Sequence, residues 1–317
     1  MKKRRKKKKR KTKPFGLTRK QLKRLKFTAF MMLAVACSAF VYRIYHENAN
    51  ILPGAKISAR SAFAGLIPEF RHGADSKPAI PGEKTLPGIS FPFGGSRPAV
   101  TFVLDDMGHT REHLPELERL GRDVTYAVLP LLKHSVFFAA HGRAQGAEVI
   151  LHLPLESIKG TIPGPGLITS PMSDAQVLES LRRNLASVPG ALGVNNHMGS
   201  KGTSDQRLMR LILGELKTRG LFFLDSKTSP SSIALPLARQ MGLRSTGRDI
   251  FLDNQDNREA VRQDVRALEA VARRQGYGVG IGHYRLNTLA VLLEEIPRLK
   301  RAGFQIVPLA EIIKRRR

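Results

Sequence analysis

The stretch AVTFVLDD at residues 99–106 runs through six uncharged, mostly β-forming residues and then delivers two adjacent carboxylates, Asp105 and Asp106. Four later stretches repeat the device: AEVILHLP at 147–154 carries His152, ALGVNNH at 191–197 ends on His197, GLFFLDS at 220–226 carries Asp225, and GVGIGH at 278–283 ends on His283. Each run is short and rich in Val, Ile, Leu or Phe. Enough chain for a helix and two turns separates it from the next, which is the rhythm of parallel strands. Parallel strands bring their C-terminal ends to one rim, so residues far apart in sequence converge on one mouth, where α/β folds build active sites. The paired carboxylates and the three imidazoles at such a mouth point to a divalent-metal hydrolase.

The intervening segments read as the expected helices. TREHLPELERL at 110–120 is followed by a strand at 123–130 and a helix near 134–145 that Gly146 closes. Ser173 and Asp174 supply an N-cap and a first-turn acid for a helix that stops before Pro189, and Ser204 and Asp205 open another that Gly220 closes. A helix runs from Ser229 to Gln240, a short strand precedes DIFLD at 249–253, and residues 257–275 form the longest helix, with Val261, Val265, Leu268 and Val271 on its apolar face. Pro297 predicts a kink in the last long helix. One α/β domain of barrel-like size therefore occupies 98–317, and no internal repeat is visible.

Of the 317 residues 42% are hydrophobic, enough for a sizeable core. The single Cys37 excludes an internal disulfide and any thiolate metal cluster, so a bound metal takes nitrogen and oxygen ligands. Residues 1–26 hold 16 Lys or Arg and no acid; taking these from the net charge of +27 leaves +11 for the remaining 291 residues. Nucleic-acid binding through this head is disfavoured, because an apolar run, FTAFMMLAVACSAFVY at 27–42, follows it directly and the body lacks Trp for base stacking. A transmembrane signal anchor at 27–45 with the basic head in the cytoplasm fits the charge asymmetry, with the head against anionic lipid. Cleavage near Ala34 and Ala36 or lipid attachment at Cys37 are the other fates of this segment. Residues 46–97, with prolines at 53, 68, 78, 81, 87 and 92, read as a tether. The folded domain then lies outside the inner membrane, in the periplasm or its equivalent.

The chemistry of each run can be weighed against a bland alternative. Adjacent carboxylates on a strand point to opposite faces unless the backbone turns, and Met107–Gly108 can supply that turn. One carboxylate would then bind metal while the other takes a proton from water; the bland reading is a helix cap. His152 at a strand end suits a metal ligand or a satisfied structural histidine. His197 in VNNHMGSKGT sits in a polar, flexible shell with little packing value, and Asn196 would orient a ligand or the substrate. His283 is assigned proton donation, its surrounding glycines allowing close backbone approach. Asp225 either positions an imidazole or ligand, or caps the helix after Pro230. Gly164–Pro165–Gly166 is a turn or a groove wall, and His109, His113, His134 and His141 read as surface residues.

Taken together, VLDDMGH, AVLP, EVILHLPLE, GVNNHMGSKGT, LFFLDSKTS and GIGH resemble the divergent polysaccharide deacetylase family, related to NodB-type carbohydrate esterases, over 98 to about 313. The resemblance implies a distorted (β/α) barrel of about seven parallel strands with a divalent metal at the strand C-termini. It further implies that Asp105 is the general base, Asp106 its metal-binding partner, His152 the first histidine of the metal motif and His283 the late-strand acid. The motif's second histidine falls at Glu156, for which His197 is the preferred replacement, and no Arg-x-Pro-Tyr segment follows His152.

The leading expectation is thus a membrane-tethered deacetylase of an envelope carbohydrate. Metal, with zinc as the first choice, would be held by Asp106, His152 and His197; Asp105 and His283 would move protons; and Glu156, Asn196 and Asp225 would bind substrate or support the ligands. The rival is a saccharide-binding or scaffolding module that keeps the barrel and the metal without hydrolysis.

Overall fold

Strand β1 (Ala99–Met107) is buried along nearly its whole length, as a strand covered on both faces must be. The computed structural model describes residues 97–316, in which eight further strands follow β1. These are β2 (Thr125–Val128), β3 (Val149–Leu155), β4 (Gly193–Met198), β5 (Phe222–Asp225), β6 (Ser245–Gly247), β7 (Ile250–Phe251), β8 (Tyr277–His283) and β9 (Gln305–Ile306). Every pairing between them is parallel, in the order β6-β5-β4-β3-β2-β1-β8-β7, with β9 added to the start of β1. The path holds eight strands, one more than the about seven that the resemblance implies, and its two shortest, β6 and β7, fall where the sequence places a short strand and the run at 249–253.

The two end strands explain the curl of the sheet. β6 and β7 lie at opposite ends of the hydrogen-bonded path, yet only Arg248 and Asp249 separate them along the chain. The Arg248 amide donates to the Asp225 carbonyl on β5 and the Asp249 amide to the Val279 carbonyl on β8. So short a link forces the two edges toward each other, and the sheet bends into a distorted, incompletely closed barrel.

Helices α1 (Leu114–Leu120), α2 (Ser135–Ala144), α3 (Asp174–Ala186), α4 (Gln206–Thr218), α5 (Ala234–Gln240), α6 (Arg258–Gln275), α7 (Leu286–Arg301) and α8 (Leu309–Arg315) complete the described chain. Their starts are encoded locally. Ser173 and Gln176 form a reciprocal capping box on α3, Asp205 caps α4 through the Leu208 amide, and Asn257 caps α6 through the Ala260 amide. Pro297 sits within α7 without breaking it into two helices. Helix α1 starts four residues later than its sequence suggests, leaving residues 110–113 to a turn.

Side-chain alternation sorts each strand into two cores. Val100, Phe102 and Leu104 of β1 face the helical layer, whereas Ala99 and Val103 join Ile150, Leu224, Val279 and Ile281 in a separate inner cluster. Leu309, Ile312 and Ile313 of α8 belong to that inner cluster, so the C-terminal helix plugs the barrel at the end where the strands begin. On β8 the outward positions are glycines: a Cβ on Gly280 would lie 2.7 Å from Leu268 of α6, and one on Gly282 would lie 2.9 Å from Thr288 of α7. The close approach anticipated around His283 is therefore that of these helices to the strand.

Among the described residues no helix is long and apolar enough to cross a membrane. The basic head at 1–26, the anchor at 27–45 and all but the last residue of the tether at 46–97 lie outside the described residues.

Candidate active site

Two residues beyond an inner-core side chain on a strand, the next inward-pointing side chain stands one layer closer to the rim. Val103 is followed in this way by Asp105, Ile150 by His152, and Ile281 by His283, while Asn195 and His197 occupy successive inward positions of β4. Asp105 and His283 are register partners across β1 and β8, as are His152 and Asn195 across β3 and β4. The strands alone thus deliver Asp105, His152, Asn195, His197 and His283 to one end of the barrel.

Asp106 has the wrong parity for this and arrives by a change of backbone. Its φ is 65°, in the left-handed region, and the β1–β2 register shifts between Leu104 and Met107. Aspartate tolerates this conformation better than most residues. The turn expected at Met107–Gly108 therefore begins one residue earlier, and it brings both carboxylates of the pair to the same rim. Met198 (φ 51°) and Lys227 (φ 50°) adopt the same region at the ends of the β4 and β5 segments, so non-glycine left-handed backbone concentrates around this mouth.

The donor atoms of Asp106, His152 and His197 all lie within 4.8 Å of one another. His197 Nδ1 is 3.0 Å from His152 Nε2 and 3.1 Å from Asp106 Oδ1, and His152 Nε2 is 3.3 Å from that same oxygen. Tetrahedral ligand bonds of about 2.0–2.1 Å place donor atoms roughly 3.3 Å apart, so the triangle has the dimensions of one face of a metal site.

The hydrogen-bond network determines which of these atoms carry protons. The Asn195 amide nitrogen donates to Asp105 Oδ1 at 2.8 Å and to the Ser226 hydroxyl at 3.2 Å, so its oxygen faces His152 Nδ1 at 2.9 Å. That oxygen only accepts, so Nδ1 holds the proton and Nε2 of the neutral ring presents a lone pair. Asp106 Oδ1 is buried without a hydrogen-bond partner. Lone pairs facing one another at these distances repel unless a cation sits among them, and nitrogen and oxygen donors of this kind suit zinc and similar divalent ions. The carboxylates and imidazoles also shift one another's proton affinity. Burial alone would lower the His152 pKa, yet the Asp105 and Asp106 carboxylates raise it. Burial alone would raise Asp106, yet the two imidazoles that face it, His152 and His197, hold it well below the usual carboxylate range.

Asp105 lies beside this triangle, 3.5 Å from His152 Nε2 through Oδ2, and burial pushes its pKa up despite the neighbouring imidazole. His283 faces it from β8. Its Nδ1 contacts Asp253 Oδ1 at 2.9 Å, and its Nε2 lies 3.7 Å from Asp106 Oδ2. Asp253, itself fixed by the Thr288 hydroxyl and the His283 amide, outweighs the effect of burial and raises the His283 pKa. The surrounding cleft measures about 690 Å3, a volume typical of small-molecule sites and far more than an acetyl group fills.

The other candidate residues are occupied elsewhere. Asp225, of opposite parity to the inner Leu224, accepts from the Lys227 amide, the Ser232 hydroxyl and the Leu235 amide, so its contacts are those of a cap on the segment leading into α5. Glu156 binds Lys201 at 2.8 Å and the Ser170 amide at 2.9 Å, joining two loops, and it does not line the cleft. Asn196 does line it, but its amide is spent on Met198, Thr228 and the Ser226 backbone. The cleft wall comes from Ser157–Thr161 rather than from the Gly164–Pro165–Gly166 turn. His141, read as a surface residue, is instead packed between Tyr126 and Phe137.

In the sequence Asn195 reads only as part of the polar shell around His197, and Ser226 and Asp253 do not stand out. Asp253 carried a signal, since DIFLD ends an apolar run on an acid just as GLFFLD does. Asn195 could be found only from its register opposite His152.

The family model for divergent polysaccharide deacetylases matches residues 102–313. An uncharacterized protein of Haemophilus influenzae is 34% identical over 203 residues, covering 64% of this chain and 72% of the relative. The Escherichia coli K12 protein YibQ, also uncharacterized, is 30% identical over 200 residues, covering 63% of each. The crystal structure of an uncharacterized Agrobacterium tumefaciens protein superposes with a TM-score of 0.66 at 24% identity, covering 70% of this chain and 92% of that one, a likeness of fold.

Proposed function

The chain belongs to the divergent polysaccharide deacetylase family, and from that premise we propose that it is a metal-dependent hydrolase removing acyl groups, N-acetyl foremost, from an envelope carbohydrate. One observation carries the reading: the metal-sized triangle of Asp106, His152 and His197 shares a cleft with a buried carboxylate, Asp105, and an acid-oriented imidazole, His283. When bound, a divalent cation, zinc first, would polarise the acyl carbonyl and acidify the attacking water.

The residues of the chain supply the rest. Asp105 accepts the proton of the water that adds to the acyl carbon, and its raised pKa makes it a better base than an exposed aspartate. Asn195 holds Asp105 and His152 in fixed relative positions. His283, oriented through Nδ1 by Asp253, gives its Nε2 proton to the amine as the C–N bond breaks, so acetate and a free amino sugar leave. Tethering by residues 27–45, with the head at 1–26 on anionic lipid, would place this cleft in the periplasm, facing envelope glycans.

Acetate release from N-acetylated oligosaccharides by the zinc-loaded full chain tests the reading. It predicts turnover that a chelator abolishes and that Asp105→Asn reduces by roughly 100-fold or more while metal content stays at one equivalent. A second reading has its own support. Glu156 stands where the resemblance places a second histidine and is tied to Lys201, which favours a saccharide-binding module without catalysis. One bound metal with no release of acetate from any amide or ester would select it.

A further inference from the structure

Apart from Asp105 and Asp106 at its floor, the cleft is lined by no carboxylate, and the other charged residues of its lining, His283 aside, are Lys159 and Arg285. Lys159 belongs to the loop after β3, and Arg285 to the loop after β8. In sheet order these strands lie on either side of β1, so the two cations flank the Asp105–Asp106 pair. Among the described residues neither is engaged in an ion pair. Nearby cations differ: Lys201 is bound to Glu156, and Arg248 donates to the Ser226 and Lys227 carbonyls. Arg285 also precedes the first turn of α7, whose N-terminal amides receive no side-chain cap, adding partial positive charge at the same wall. With a divalent cation offsetting the two floor carboxylates, the cleft carries a net charge of about +2.

An arginine half-buried in a cleft and a lysine opposite it, both unneutralised, fit a ligand that brings its own negative charge. We propose that the cleft takes an anionic glycan, one bearing a carboxylate or phosphate on the sugar beside the acylated position, with Lys159 and Arg285 as its charge-recognition pair. The neighbouring-sugar placement rests on the hydrolase reading; the charge selectivity does not. Ile158, Met198 and Phe251, also in the lining, supply apolar surface for the sugar faces.

Calorimetric binding to the zinc-loaded full chain tests this with three probes of equal length. They are neutral tetra-N-acetylchitotetraose, a tetrasaccharide of alternating N-acetylglucosamine and N-acetylmuramic acid, and the chitotetraose phosphorylated at O6. The expected result is affinity for one or both acidic probes at least about tenfold above the neutral one, with Lys159→Gln and Arg285→Gln each removing about tenfold of it and sparing neutral binding. Arg266→Gln, which removes one exposed charge from α6, should change nothing. Preference between the acidic probes identifies carboxylate or phosphate as the recognised group. Equal affinity for all probes, binding of none, or an acid preference that survives both substitutions, as expected of the basic head, would overturn the proposal. Acid-selective binding without acetate release would leave it standing and remove the hydrolase reading; acetate release from all probes without charge preference would do the reverse.

Discussion

At the end of the barrel where β3 begins, the buried Glu148 accepts from the Thr125 hydroxyl through Oε1 at 3.4 Å and from the Ala310 amide through Oε2 at 3.1 Å. At the opposite end, Asp106 Oδ1 is equally hidden from water and has no hydrogen-bond partner, with two imidazole nitrogens 3.1 and 3.3 Å away. One carboxylate anchors α8 beneath the inner core and is satisfied by the fold. The other is held by left-handed backbone in a place where the fold leaves it unsatisfied. An unpaired buried acceptor costs about 1–3 kcal/mol, so keeping one at a strand end while its counterpart is satisfied supports the proposed cation site there.

The sharpest way to break this contrast is Asp106→Asn. It should lower zinc affinity by at least about 100-fold, measured by competition with a chelating dye, with little loss of stability in the metal-free protein. Asn195→Ala comes next. Freed from the amide, His152 loses the bond that fixes its Nδ1 proton, and affinity should fall about 10–100-fold with the fold intact by circular dichroism. Glu148→Ala should show the opposite pattern, costing about 2 kcal/mol in denaturant unfolding while zinc affinity stays within error, because the Ala310 amide and Thr125 lose their acceptor.

The smallest effect is on pH dependence. Burial lifts the Glu148 pKa above the ordinary 4.5, against the lowering effect of its Ala310 and Thr125 hydrogen bonds. The folded protein then keeps this proton to higher pH than the unfolded chain does. The residue's contribution to stability is full below 4.5 and is lost as pH climbs through the raised folded value. Unfolding curves of Glu148→Gln should lack that decline, and a variant whose stability falls more steeply than the wild type above pH 4.5 would reverse the assignment.

The parallel strands and their helical spacers were legible because apolar runs and caps are local signals, as Ser173, Asp205 and Asn257 show. The extent of the short strands was less so: a short strand and the run at 249–253 can be read there, but three residues at β6 and two at β7 are too few to carry a period. Within the site, His152, His197 and His283 could be named from their places at strand ends, but the direction in which a side chain points could not. Leu151 and Leu153 flank His152, and Phe222, Phe223 and Leu224 precede Asp225, so both faces of these strands are apolar and the alternation leaves no trace in the sequence. That is why Asp225 reads equally as site residue and cap although it faces outward, and why the sequence favours Asn196 over its neighbour Asn195. Asp106 is the reverse case, a residue that parity would exclude and that a left-handed φ of 65° restores.

A crystal structure of the zinc-soaked protein with anomalous scattering at the zinc edge tests the central claim most directly. A single strong peak is expected about 2.0–2.1 Å from His152 Nε2, His197 Nδ1 and an Asp106 carboxylate oxygen, with Glu148 and Asp225 free of metal. A peak coordinated by other residues, or none among these three at saturating zinc, would contradict it.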